Sequence, residues 1–290
     1  MVRCGKPALP STRLSSSLPA TTLIIRPGGI GDCILSLPAI EFLSAQSDSS
    51  EVWVPSPIVP LIRFTNARAI SSTGIDLLGL PGIQPPPALM EMLKSFDSIV
   101  SWYGANRPDF RGMIASLGLP FTFLDALPQA GAKIHAADFF LKQAGGSGHS
   151  VPKIACDGVA SADFAVIHPF SGSSRKNWPL PRFRELAAQL PIPVRWCAGP
   201  EETLENAVRF ENLYELACWL ASARLYMGND SGITHLAAAV GVPVVAIFGP
   251  TDPAVWSPRS GRVSIVSGIL DSIPPAQVLA VARRWLSNGS

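Results

Sequence analysis

"RLYMGNDSGITHLAAAVGVPVVAIFGP", residues 224–250, is the stretch from which the rest of the chain can be read. RLYMGND reads as a buried strand, SGITHLAAAVG as a helix closed by Gly241, and VPVVAIFGP as a second strand. Strand, helix and strand at this spacing form a parallel pair with a crossover helix laid on it. The alanines at 237–239 let that helix lie close to the sheet. Asp230, Ser231 and Gly232 at its mouth admit two readings: a nucleophilic serine with His235 nearby, or a cradle for a phosphate. The serine lacks a G-x-S-x-G elbow, and His235 is one helical turn away, too local to build a triad. Free amides at a helix start, with the dipole behind them, stabilise anions. The cradle is the stronger reading, with His235 itself expected to hydrogen-bond to a neighbouring loop.

The same pattern repeats outward. DFAVIHP, IPVRWCAG and VPVVAIFGP are strands, and PLPRFRELAAQL and NLYELACWLASA are helices between them. Near the other end, TTLIIRPGGIGDCILSLPAIEFLSAQ runs from a β-branched strand through a glycine-rich turn into a helix, and EVWV and SIVSWYG are further strands. Short buried strands alternating with helices call for parallel sheets covered on both faces. Around 145–162 periodicity gives way to Gly, Ser and Pro, as at a domain boundary. The expected fold class is α/β, with two Rossmann-like domains, 21–150 and 151–290, facing across a cleft. Residues 1–20 read as a flexible tail, since they have no continuous apolar segment of the kind a signal peptide needs.

Composition narrows the function. Of the 290 residues, 47% are hydrophobic and 15% charged, which suits a well-buried globular chain. Lys and Arg number 23 against 21 acids, a balance that argues against a nucleic-acid binder relying on a basic face. Five scattered cysteines without a C-x-x-C pair argue against a disulfide framework or structural zinc, and for a reducing cytoplasm. No run of about 18 apolar residues is present to span a membrane, although peripheral contact with one stays open.

In an open parallel sheet, ligands bind where strands end and helices begin. Four loops there are chemically unusual. In RPGGIGDC (26–33), Gly28, Gly29 and Gly31 would let backbone approach a ligand, and Asp32 is either a helix N-cap or a general base facing the cleft. The dinucleotide pattern G-x-G-x-x-G fails at Ile34, which disfavours a nicotinamide or flavin cofactor. In HPFSGSSRKNWP (168–179), Ser171, Gly172, Ser173 and Ser174 offer hydroxyls and amides, Arg175 and Lys176 offer charge, and Trp178 tucks beneath. In CAGPEE (197–202), Glu201 or Glu202 would accept from sugar hydroxyls or favour the helix dipole. The fourth loop is the opening stretch.

Together, LIIRPGGIGDCILSLPAIEFL, HPFSGSSRKNWP, AGPEE and MGNDSGITHLAAAVGVPVVAIFGPTDPAVWSP resemble the ADP-heptose:lipopolysaccharide heptosyltransferases, glycosyltransferase family 9. The resemblance implies a GT-B fold, with the acceptor on the N-terminal domain and the nucleotide-sugar donor on the C-terminal one. It implies inverting transfer of a sugar, heptose above all, from an ADP-sugar to a lipopolysaccharide-core-type acceptor, without cofactor or metal. By the same resemblance Asp32 is the base and Lys176 the donor-binding lysine. Ser231, Gly232 and His235 hold the diphosphate, Asp230 lies beside the sugar, and Glu202 faces the ribose. It places the enzyme in the cytoplasm, with a lipid-linked or saccharide acceptor and contact at the inner membrane face left open. Another nucleotide sugar, or nucleotide-sugar binding without transfer, are the alternatives. Phe170 departs from the family, which has glycine after H-P. Arg63, Arg68, Arg107 and Arg111 are the basic residues available to a negatively charged acceptor.

Overall fold

Among the described residues ten strands of three to six residues, most of them rich in β-branched and other apolar side chains, assemble into two separate parallel sheets of five. The computed structural model describes residues 20–129 and 131–287, so the expected tail lies, apart from Ala20, outside the described residues. Sheet one contains β1 (Thr21–Ile25), β2 (Ser49–Val54), β3 (Asn66–Ala69), β4 (Ser98–Ser101) and β5 (Phe121–Phe123), in the order β3-β2-β1-β4-β5. Sheet two contains β6 (Ala165–His168), β7 (Val194–Trp196), β8 (Leu225–Asn229), β9 (Val244–Phe248) and β10 (Val263–Ser267), in the order β10-β9-β8-β6-β7. Every pairing is parallel, for example Thr21↔Ser49 through Ile25↔Trp53, so each crossover needs a helix or a long connection.

The helices are α1 (Ile30–Ala45), α2 (Pro87–Lys94), α3 (Pro108–Ser116), α4 (Ala136–Gln143), α5 (Leu180–Ala188), α6 (Leu213–Ala221), α7 (Gly232–Ala239), α8 (Pro253–Trp256) and α9 (Pro275–Ser287). Proline at the start of α2, α3, α5, α8 and α9 fits a position whose amide has no helical partner. The stretch between α4 and β6 has neither strand nor helix and carries the chain from sheet one to sheet two.

Successive strand residues face opposite sides, and here both sides are covered. In β1, Leu23 and Ile25 join an outer core with Trp53, Leu93 and Phe110. Ile24 faces the other way, into a core that also contains Val166, Val244 and Phe248 of sheet two. That shared layer is filled by α1, α4, α6 and α7. It explains why α1 buries Cys33, Ile34, Leu35, Leu37, Ala39, Ile40 and Leu43 on nearly all sides rather than along one stripe. A third core, with Trp178, Phe183, Val245 and Leu279, backs sheet two under α5 and α9.

The chain reverses its direction of growth between β1 and β4 in sheet one, and between β6 and β8 in sheet two. These are the switch points where an open sheet leaves a crevice at its strand ends. The loops after β1, β6 and β8 leave from them.

Candidate functional site

All four unusual loops meet around one cavity of about 530 Å³ between the two sheets. One wall is Gly29, Ile30, Gly31, Asp32 and Leu35. The other holds Ser171, Gly172, Ser173, Lys176, Glu202, Asp230, Ser231, Gly232 and His235, with an apolar side made by Phe210, Leu213, Leu216 and Trp256.

The N-cap of α1 is Gly29, and Asp32 sits at the third helical position. The plain N-cap reading of Asp32 is therefore corrected: its Oδ2 accepts from the Gly29 amide at 3.1 Å, reaching back to the helix start from inside. One carboxylate oxygen is anchored, and the half-exposed group still lines the cavity. Gly28 has φ +123°, a backbone conformation that side chains rarely adopt, which explains a glycine there. Gly31 lines the cavity and serves a second purpose in packing. A Cβ on it would lie 3.0 Å from His235 Cδ2 and 3.5 Å from Gly232 Cα, so the missing side chain lets α1 and α7 touch.

Across the cavity, Ser231 is the N-cap of α7. Its Oγ lies 3.1 Å from Thr234 Oγ1 and 3.4 Å from the Thr234 amide. The hydroxyl serves the helix start and has no bond to His235, which removes the nucleophile reading. His235 is buried and its Nδ1 has no hydrogen-bond partner, so the expected bond to a neighbouring loop is not made. Burial pulls its pKa down to about 4, against the opposing pull of Asp230, and the ring is neutral at pH 7.

Lys176 Nζ donates to Asp230 Oδ2 at 2.7 Å. Asp230 is only 6% exposed against 35% for the lysine, so the acid is the fixed partner and the ammonium reaches into the cavity from it. Arg175, expected to add charge, does not line the cavity. Ser171 Oγ lies 2.7 Å from both Ser173 O and Asn177 Oδ1, so this hydroxyl is spent on the shape of its own loop. Trp178 is buried beneath, as expected.

Between the two acids of the third loop, the structure selects Glu202; Glu201 is exposed and off the cavity. Glu202 Oε2 accepts from the Gly199 amide at 2.6 Å and faces His168 Nε2 at 3.0 Å. Burial acts to raise the Glu202 pKa, but these two hydrogen bonds outweigh it and hold the carboxyl below its ordinary value. Its Oε1 takes part in none of these bonds.

Two residues escape a reading by loop chemistry. Asn229, fully buried at the end of β8, ties the fourth loop to the second. Arg26 is 1% exposed and donates to Ser36 Oγ and Ala126 O, each at 3.0 Å, and to Asp32 O at 3.2 Å. Its guanidinium lies 4.3 Å from the centre of the Phe140 ring. An arginine ending an apolar strand was the available signal, since a buried charge is retained only with such partners. By contrast Arg63, Arg68, Arg107 and Arg111 do not line the cavity; Arg63 stacks on Tyr214 and Arg68 pairs with Glu51. Phe170, the departure after H-P, packs edge-on to His168.

Among the described residues, no helix is long and apolar enough to cross a membrane. Comparison with known proteins agrees with the motifs. Residues 140–280 match the model of glycosyltransferase family 9 (heptosyltransferase), which bears out the resemblance read from the sequence. Lipooligosaccharide heptosyltransferase 2 of Haemophilus influenzae is 39% identical over 72 residues, 24% of this chain and 21% of that protein. The chain's matches span 21% to 36% of the length of the first such relatives. Likeness of fold extends much further. The structure of E. coli ADP-heptose lps heptosyltransferase II superposes with a TM-score of 0.69 at 19% identity, covering 92% of this chain and 99% of that one. E. coli heptosyltransferase WaaC with ADP gives a TM-score of 0.64 at 17% identity, covering 92% and 98%. Two parallel-sheet domains facing across a cleft, the GT-B arrangement, is the fold of this chain.

Proposed function

We propose that this chain is an inverting GT-B glycosyltransferase that moves a heptose from an ADP-sugar to a hydroxyl of a lipopolysaccharide-core-type acceptor. The observation that carries the proposal is the single cavity with a carboxylate, Asp32, on one wall and a cationic, amide-lined cradle, Lys176 with Ser231–Gly232, on the other. A glycosyl transfer needs both. The acceptor O–H gives its proton to Asp32, and the oxygen bonds to the anomeric carbon as the bond from that carbon to the diphosphate breaks. Positive charge develops on the sugar and negative charge on the departing diphosphate. Lys176 and the start of α7 answer the second of these without a metal ion, and Asp230 faces the first. Glu202 accepts from the ribose with its free oxygen, and the apolar side of Phe210, Leu213 and Leu216 takes the base. We place the reaction on the cytoplasmic side of the membrane that carries a lipid-linked acceptor.

The matched family and the nucleotide named for a protein of the same fold support an ADP-linked donor. Calorimetric titration with ADP, ADP-heptose, UDP and NAD tests it. Preference for the ADP-sugar is the expected result. Preference for UDP would retire heptose while keeping the mechanism, and binding of none would remove the cradle.

A further inference from the structure

Asn229 does something that no neighbouring residue type could. Its side-chain Oδ1 accepts from the Trp178 amide at 2.9 Å, and its Nδ2 donates to Pro169 O at 2.7 Å. Both bonds are buried and Asn229 is fully inaccessible. Pro169 and Trp178 are the two ends of the loop that carries Ser171, Ser173 and Lys176. One planar amide therefore joins entry and exit of that loop, using its acceptor for one and its donor for the other. Aspartate lacks the donor, and a serine hydroxyl lacks the span. The next residue, Asp230, takes Lys176 Nζ at 2.7 Å, two residues before the exit of the same loop. The Asn229–Asp230 pair thus grips the loop at both ends and at Lys176 between them. The exit end is anchored twice, because Trp178 Nε1 also donates to Ile273 O at 3.1 Å.

We infer that Asn229 is a positioning residue for the donor: its amide closes the 169–178 loop into a preformed diphosphate cradle and presents Lys176 to the phosphates. This rests on the donor reading given above. It assigns to Asn229 a share in diphosphate binding although its side chain is occupied by the loop and does not line the cavity. A loop closed before the ligand arrives loses less conformational freedom on binding, and that saving is specific to the part of the ligand the loop holds. Nucleoside recognition, which belongs to Glu202 and the apolar side, should be indifferent to it.

The test is to titrate ADP, AMP and adenosine into the full chain and into two variants, Asn229→Asp and Asn229→Ser. Asn229→Asp keeps shape and acceptor but sets an oxygen against Pro169 O. Asn229→Ser abolishes the bridge without adding charge. Expected is a loss of about tenfold or more in ADP affinity, with adenosine unchanged and AMP between. ADP affinity equal to that of the unaltered chain would overturn the inference, and so would a parallel loss for ADP and adenosine. Failure of the unaltered chain to bind ADP would instead overturn the donor reading, and this inference with it. Should both variants fail to fold, hydrogen exchange at the Trp178 amide of the unaltered chain decides. Protection without nucleotide, unchanged by ADP, supports a preformed loop; free exchange until ADP is added overturns it.

Discussion

On the reading proposed above Asp32 has two employments, and a substitution can separate them. Its bond to the Gly29 amide steadies the start of α1, a service that an asparagine oxygen also performs. Proton abstraction requires the carboxylate. Asp32→Asn is therefore expected to lower transfer at least about a hundredfold while ADP affinity and melting temperature stay near those of the unaltered chain. Asp32→Ala should lose the same activity and also about 0.5–2 kcal/mol of stability from the missing cap interaction. Equal loss of turnover and ADP affinity in Asp32→Asn would show the residue to be structural. For Lys176→Ala the expected pattern is the reverse: ADP binding, followed by calorimetry, weakens about tenfold or more, because a charged hydrogen-bonding group to phosphate is removed. An unaltered dissociation constant would take Lys176 out of the site.

At the scale of elements, the meeting of α1 and α7 is the most exacting contact. A Cβ on Gly232 would stand 2.6 Å from Ile30 Cβ and 3.0 Å from the Gly31 amide, neither of which can swing aside as a flexible side-chain end can. Gly232→Ala should cost about 1–3 kcal/mol by overpacking, seen as a lower midpoint of denaturant unfolding, and it should weaken ADP binding as the helix start shifts. A variant as stable as the parent would mean that this seam is loose. The sequence announced these helices well but not their partnership. The strand-loop-helix pattern around 21–45 and 224–248 is local, so it was legible, and so were the loops at the strand ends. Reading Gly31 as room for a ligand catches only part of its use: it lines the cavity, but a single chain does not show that the same space also seats a ring 204 positions later in the sequence, His235. Asn229 is silent in the sequence for the same reason, since both of its partners lie more than fifty residues away. The short strands β3 and β5 offered too few residues for a period to emerge.

Across the whole molecule, the two halves are joined by more than the shared core. His135, at the start of α4, has Nε2 2.8 Å from Ser257 O, while its Nδ1 accepts from the Ala137 amide at 3.2 Å. Arg259 forks onto Asp138 of the same helix, with Nη2 2.8 Å from Oδ2. Burial, reinforced by Arg259, draws the His135 pKa down to about 4 despite its bond to Ser257, and His235 in the cavity wall has likewise been drawn to about 4. The unfolded chain protonates these rings near pH 6.5. Between about 6.5 and about 4 the unfolded state thus binds more protons, and stability falls as pH falls through that window. The slope is up to about 1.4 kcal/mol per pH unit for each ring. Urea unfolding at stepped pH measures it; a flat profile from 6.5 to 4 would contradict the buried neutral rings, and His135→Gln should flatten part of the slope.

The Gly31–Gly232 seam has a further consequence. Each helix that begins there carries about half a positive charge at its N-terminus, so α1 and α7 bring like poles together. Apolar packing around them overcomes that mutual repulsion, but does not abolish it. On the donor reading proposed above, a diphosphate at the mouth of this seam would convert two opponents into joint hosts, and the nucleotide would become mortar as well as cargo. Cohesion of the halves and hold on the donor are then one quantity measured from two sides. Whatever loosens the masonry, however far from the phosphates, would then release the donor, and each increment of bound donor would set the wall more firmly.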